Sequence, residues 1–192
     1  MTRIHASAFP DAVLSRLGPK VVRLHYASLF DGPHDLTALI ARADAQPVGL
    51  LIGGVFRGST VHFITQNWRP LALAAARRPR LLASPALSRF TLGLKLVLAR
   101  RRTPGPERPL RVPEGSFGVL VLAVVPGAQG EGVGRTLLDA AAREAQAAGF
   151  TGMHLTTDPG SASARFYAAQ GWAPRLEGDG RWEGLMTRPL PS

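Results

Sequence analysis

The residues best suited to chemistry are the glycines of Pro126-Gly-Ala-Gln-Gly-Glu-Gly-Val-Gly134. No helix or strand tolerates so many, so they form a loop. Before it stands an unbroken apolar run, Phe117-Gly-Val-Leu-Val-Leu-Ala-Val-Val125, and after it Arg135 to Gly149 has helical spacing. The run is too uniform for a sheet with one wet face and reads as a central strand covered on both sides. A glycine loop between strand and helix aims unpaired backbone N–H groups at whatever sits over the helix N-terminus. Those amides and the helix dipole favour an anion there, typically a phosphate.

Two familiar phosphate loops do not fit. An ATPase-type loop needs a lysine followed by Ser or Thr at the helix start, whereas Gly134 is followed by Arg135-Thr136. A dinucleotide fold wants Gly-x-Gly-x-x-Gly early in the chain and an acid about 20 residues on. Here the glycines are Gly130, Gly132 and Gly134, and Asp158 is the sole candidate acid.

Composition narrows the class. A chain of 192 residues, 45% hydrophobic, can bury one sizeable core and is expected to form a single domain. With no cysteine, disulfides, thiolate metal sites and a cysteine nucleophile are excluded. No run reaches the ~18 apolar residues of a membrane span, and Met1 to Pro10 lacks the apolar core of a secretory signal, so the expected location is the cytoplasm. Lys and Arg number 23 against 13 Asp and Glu, a formal +10, which attracts anions without naming one. Nearly all of that charge is arginine, whose planar fork suits phosphate and carboxylate. A compositional bias that also enriches Ala, Gly and Pro accounts for it equally well.

The remaining elements must position the loop. Thr2 to Ser7 alternates weakly and predicts a first strand with Ile4 and Ala6 on one face. A short helix from Pro10-Asp11 is stopped by Gly18-Pro19, and a second ends near Phe30. Leu36 to Ala43 and Val48 to Phe56, joined by Asp44 to Pro47, predict an antiparallel hairpin, with Gly53-Gly54 marking a bulge or a close backbone approach. Thr60 to Thr65 reads as extended. Trp68 to Arg102 reads as two basic amphipathic helices broken near Pro79 and Pro85, and Thr103 to Pro113 as a proline-rich connector. In the helix after the loop, Leu137, Leu138, Ala141, Ala145 and Ala148 make one apolar stripe, and Asp139 faces Arg143 on the wet side. Gly149 caps it. A strand at Met153 to Thr157, a helix at Ala162 to Gln170, and a strand pair at Trp172 to Leu176 and Trp182 to Thr187 complete the chain.

These residues resemble a known family. Gln129-Gly-Glu-Gly132-Val-Gly134 fits the Gln/Arg-x-x-Gly-x-Gly/Ala pyrophosphate loop of the GNAT superfamily of acetyl-CoA-dependent acyltransferases. Leu122-Ala-Val-Val-Pro126 resembles its fourth strand with the trailing proline, and Ala164-Arg-Phe-Tyr167-Ala-Ala-Gln-Gly171-Trp172 resembles its Ala-x-x-Phe-Tyr-x-x-x-Gly-Phe segment. The resemblance implies a mixed α/β (α+β) fold with a mostly antiparallel central sheet flanked by helices. Residues 68–113 would be a basic helical and proline-rich insertion in a single domain spanning 1–192.

The resemblance also implies roles. The backbone of Leu122, Ala123 and Val124 would bond the pantetheine arm, and the loop of Gln129, Gly130, Glu131, Gly132, Val133, Gly134 and Arg135 would hold the pyrophosphate of acetyl-CoA, the co-substrate. No metal is called for. Tyr167 would protonate the departing thiolate, and the backbone amide near Val124 would polarise the thioester carbonyl. The family's usual asparagine, about seven residues before the tyrosine, is replaced by Gly160, with Ser161 beside it as a substitute contact. The general base has no fixed place: His154, Asp158, Glu114 or a water chain are the candidates. Without cysteine, a neutral amine would attack directly in a ternary complex. The acceptor would be a primary amine, either a small molecule or a protein N-terminus, and the closing strands of similar proteins commonly pair in homodimers. The competing readings are an inactive acyl-CoA sensor and a basic module for nucleic acid or anionic lipid, although Arg77 to Arg102 offers only Phe90 as a platform for bases.

Overall fold

The computed structural model describes residues 1–57, 59–78 and 112–191. Its chain divides into two compact units, one from Met1–His34 and Phe56–Arg108, the other from Asp35–Val55 and Pro109–Ser192. Among the described residues no helix is long and apolar enough to cross a membrane.

The first unit is helical: α1 (Thr2–Ala8), α2 (Val13–Leu17), α3 (Pro19–Phe30), α4 (Ser59–Gln66) and α5 (Trp68–Ala76). Two expectations fail here. Thr2 to Ser7 is a helix and not a strand, and the adjacent residues Ile4 and His5 are both buried. A strand would have sent them to opposite faces. The His5 ring is tied to the Tyr26 hydroxyl at 2.8 Å. Thr60 to Thr65 is likewise helical, and the neighbours Phe63 and Ile64 both pack against Leu17, Val21 and Leu71. Its β-branched residues favour extended chain, and packing overrides that preference. Gly18, at φ +104°, ends α2, and Pro19 starts α3 where a missing N–H costs nothing. The Arg78 guanidinium donates to the Leu17 carbonyl. Of the predicted basic helices only α5 is described. The rest of that stretch, with the proline-rich connector as far as residue 111, lies outside the described residues.

The second unit is a six-stranded sheet: β1 (Asp35–Ala43), β2 (Gln46–Val55), β3 (Ser116–Val124), β4 (Gly152–Thr156), β5 (Ala173–Leu176) and β6 (Trp182–Pro189) in the order β1-β2-β3-β4-β6-β5. Every pairing is antiparallel except β3 with β4. The mixed, mostly antiparallel architecture is therefore as expected. The β1–β2 hairpin turns on two residues only, Asp44 and Ala45, both at positive φ, so Gln46 and Pro47 belong to the strand. Two helices belong to this unit, α6 (Val133–Ala147) and α7 (Ala162–Ala169). Leu137, Leu138, Ala141 and Ala145 of α6 are buried with Leu51, Phe117, Val119, Met153, Leu155, Trp172 and Met186. At roughly 1.5–3 kcal/mol for each large apolar side chain, this face is the main stabilising contact of the unit. Ala148 lies beyond the helix and is exposed. Asp139 pairs with Arg135 and with Arg188 of β6, each at 3.7 Å, and not with Arg143 as expected.

Two features of β3 matter for function. Gly53 faces Val119 while Ile52 faces Val121, which leaves Leu120 as the extra residue of a bulge. Gly53 permits this because a side chain there would overlap the Phe117 ring. The strand is also less covered than its apolar run predicts: Ser116 to Val119 are buried, but Leu120 is 41% exposed.

Candidate functional site

The site begins where two strands part. β3 and β4 pair over three positions only, Ser116 with Gly152, Phe117 with Met153 and Gly118 with His154. Beyond them β3 continues for six residues while β4 turns to β6, with which it pairs through Thr156. Leu122, Ala123 and Val124 stand opposite Leu51, Leu50 and Gly49 on β2, and among the described residues no strand pairs with their other edge. Backbone N–H and C=O groups need partners. An open edge in a cleft suits an extended ligand that carries amides of its own.

The cleft leads to the glycine loop. Pro126–Ala128 makes a short 3-10 turn, and the Gln129 side-chain amide donates to the Val124 carbonyl at 3.0 Å, tying loop to strand. Gly130 and Gly132 take φ of +84° and +80°, a conformation costly for residues with a Cβ, and no atom lies within 4 Å of where that Cβ would be. The helix starts at Val133, two residues earlier than its spacing predicts, with Gly132 as its N-cap. Thr136 is the first residue whose amide bonds back, to the Gly132 carbonyl at 2.9 Å. Among the described residues no backbone carbonyl accepts a well-formed bond from the amides of Gly130 to Arg135. No acid stands in the first turn to oppose an anion. Gly134, inside the helix, is small for a different reason: a Cβ there would come within 3.2 Å of the Phe166 ring. Glu131 and Arg135 are exposed, and the Arg135 guanidinium leans toward Asp139.

Tyr167 lies in the last turns of α7, half-buried against Phe166 and Trp172 at ring separations of 5.3 and 5.8 Å. Its spacing to Gly171 and Trp172 has a physical basis. Gly171, at φ +80°, closes the helix, and the Trp172 amide bonds back to the Tyr167 carbonyl at 3.1 Å, swinging the indole into the core beside the phenol. Burial pushes the Tyr167 hydroxyl up to about 12, so it stays protonated at any ordinary pH. Ser161 caps α7, its hydroxyl accepting from the Ala164 amide at 3.1 Å and lying 3.4 Å from the Thr157 hydroxyl.

Of the base candidates, Glu114 and Asp158 are exposed. His154 is half-buried at the vertex of the cleft, its Nδ1 2.7 Å from the Ser116 hydroxyl, and burial lowers its pKa. Among the described residues no group of His, Asp or Glu side chains could hold a metal ion. The structure thus brings Leu122 to Val124, the loop from Gln129 to Arg135 and His154 onto one parting of strands. Ser116 and Gly118 escaped the sequence reading, although a serine just before the apolar run and a glycine within it were signals.

Residues 104–172 match the profile of the acetyltransferase (GNAT) family. Among curated proteins none matches the sequence. Solved structures of similar fold include the ribosomal-protein-S18-alanine N-acetyltransferase of Escherichia coli, with TM-score 0.52 and 13% identity over 100% of this chain and 88% of that one. The PaiA N-acetyltransferase of Thermoplasma acidophilum, solved in complex with coenzyme A, gives 0.52 and 11% over 98% and 91%. The ribosomal-protein-alanine N-acetyltransferase of Brucella melitensis gives 0.51 and 16% over 98% and 91%.

Proposed function

We propose that this chain, whose residues 104–172 match the acetyltransferase (GNAT) family, moves the acetyl group of acetyl-CoA to a primary amine by direct attack within a ternary complex. The observation that carries this reading is the parted β3–β4 edge running into a loop of unpaired amides. The pantetheine arm would lie along Leu122, Ala123 and Val124. The pyrophosphate would sit on the amides from Gly130 to Arg135, where the helix N-terminus favours its charge by ~0.3–1 kcal/mol. Gln129 acts indirectly, by fixing the Val124 carbonyl. Glu131 and Val133 contribute their amides, and Arg135 adds charge. Ser161, already occupied as a helix cap, contacts the arm only by its outer face.

In the reaction, the backbone amide near Val124 polarises the thioester carbonyl. Tyr167 supplies a proton to the thiolate as the carbon–sulfur bond breaks, and its neutral phenol suits that task. We take residues 1–192 as one acyltransferase domain, because the chain leaves each compact unit and returns to it. The acceptor class is an aliphatic amine or a peptide N-terminus, the latter supported by the ribosomal-protein acetyltransferases of similar fold.

Titration calorimetry with acetyl-CoA and CoA tests the first step, and free-thiol release with a panel of amines the second. Absence of binding to either nucleotide overturns the reading. The +10 charge favours one alternative, a basic module holding nucleic acid. Salt-sensitive DNA binding without thiol release would select it.

A further inference from the structure

The Ser116 hydroxyl owns one proton. It lies 2.6 Å from the Pro113 carbonyl oxygen, which can only accept, so that proton is spent there. The contact between Ser116 Oγ and His154 Nδ1, at 2.7 Å, must then be one in which the ring donates. A neutral imidazole has a single N–H. With Nδ1 carrying it, Nε2 is left as the bare lone-pair nitrogen.

That nitrogen has a defined place. His154 is the last residue of β4 in register with β3, and its ring projects opposite to Met153 and Leu155, which face α6. Nε2 lies over Gly118: a Cβ at residue 118 would come within 2.9 Å of Nε2 and 3.1 Å of Cε1. Two residues on along β3 is the exposed, bulged Leu120. Among the described residues, the groups placed beside the ring are Ser116 and Gly118 from β3, the Gly54 carbonyl over Gly118, and Thr187, its register partner on β6, none of which titrates in the working range. Burial lowers its pKa, which favours the uncharged ring at neutral pH.

We propose that His154 is the base that deprotonates the acceptor amine, with Ser116 as the positioning residue that fixes its tautomer. This rests on the acetyl-transfer reading above. The ammonium form of the acceptor gives one proton to Nε2 and becomes a neutral amine. Its nitrogen forms the bond to the acetyl carbon, and the carbon–sulfur bond breaks. Tyr167 protonates the sulfur and recovers its proton from the nitrogen of the new amide. His154 releases its proton to solvent, so the sum is ammonium plus thioester giving amide, thiol and one proton.

The test compares wild type with His154→Asn, whose side-chain amide keeps the donor to Ser116 but has no basic nitrogen, and with Ser116→Ala. Thiol release is measured with acetyl-CoA and either an alanyl tripeptide or an aliphatic diamine, and CoA affinity by calorimetry. In His154→Asn the turnover should fall at least ~100-fold, the usual scale of general-base loss, while CoA affinity and melting temperature hold. The acid limb of the wild-type pH–rate profile should vanish. In His154→Gly, added imidazole should restore part of the rate. Nitrogen NMR should show an imine-type Nε2 in wild type and a loss of that preference in Ser116→Ala. A protonated Nε2 in neutral wild-type His154, or full turnover with an intact acid limb in His154→Asn, overturns the assignment while leaving acetyl transfer standing. A wild type that neither binds acetyl-CoA nor releases thiol overturns both.

Discussion

Tyr167 shows how one side chain can be read for both packing and chemistry. Its ring fills space against Phe166 and Trp172, which Phe would fill equally well, whereas its hydroxyl alone can give a proton. In Tyr167→Phe, turnover should fall ~100-fold or more, within the range of general-acid effects, while calorimetry finds CoA affinity and thermal stability little changed. An undiminished turnover would remove Tyr167 from the mechanism. The raised pKa bears on how the test is read. A phenol held at about 12 causes no alkaline decline until the pH nears that value, so turnover, and not the high-pH limb, reports its role. Tyr167 was legible because its partners Gly171 and Trp172 lie within one helix end. The Ser116–His154 pair was not, since 38 residues separate the two and only the parallel rung of β3 with β4 brings them together.

Among the elements, the glycine loop and α6 were legible from local signals, namely the glycine density and the apolar stripe. Gly132→Val should be the sharper probe of the loop. It forces a β-branched residue into φ +80° at the N-cap, costing on the order of 1–2 kcal/mol, and blocks approach to the amides. CoA affinity by calorimetry should weaken at least tenfold, with only a modest drop in melting temperature. The short helices α1 and α4 were not legible, because seven or eight residues carry too little period to separate a helix from a strand, and burial of adjacent pairs decides the matter. That helical unit should be acid-sensitive. Burial lowers His5 and takes His25 down to about 4, with the nearby His5 adding to the effect on His25. Both folded-state values lie below the ordinary 6.5, so the stability is present above that pH and is lost as the pH falls toward 4, when the unfolded chain takes up protons that the folded one refuses. Melting temperatures across this window should fall in wild type and fall less in His25→Leu. Parallel curves for the two would rule out His25 as the source.

For the whole molecule, the mostly antiparallel sheet was legible through the resemblance, but its order β1-β2-β3-β4-β6-β5 was not. The two glycine-bearing strands β2 and β3 had to be seen together before the bulge could be assigned to Leu120 and not to Gly53-Gly54 itself. The parting of β3 from β4 has one more consequence. A strand with one side unpaired is an edge, and an edge in the middle of a sheet is a template on which a foreign strand can add. The open edge is therefore a place where misassembly can start, and the proposed CoA, lying along it, would cover it. CoA should lengthen the lag before light scattering rises, at a temperature well below melting where the folded population is already complete. A lag indifferent to CoA would mean that the open edge is guarded by other means. If CoA lies along β3 as proposed, the nucleotide is the missing strand of the sheet.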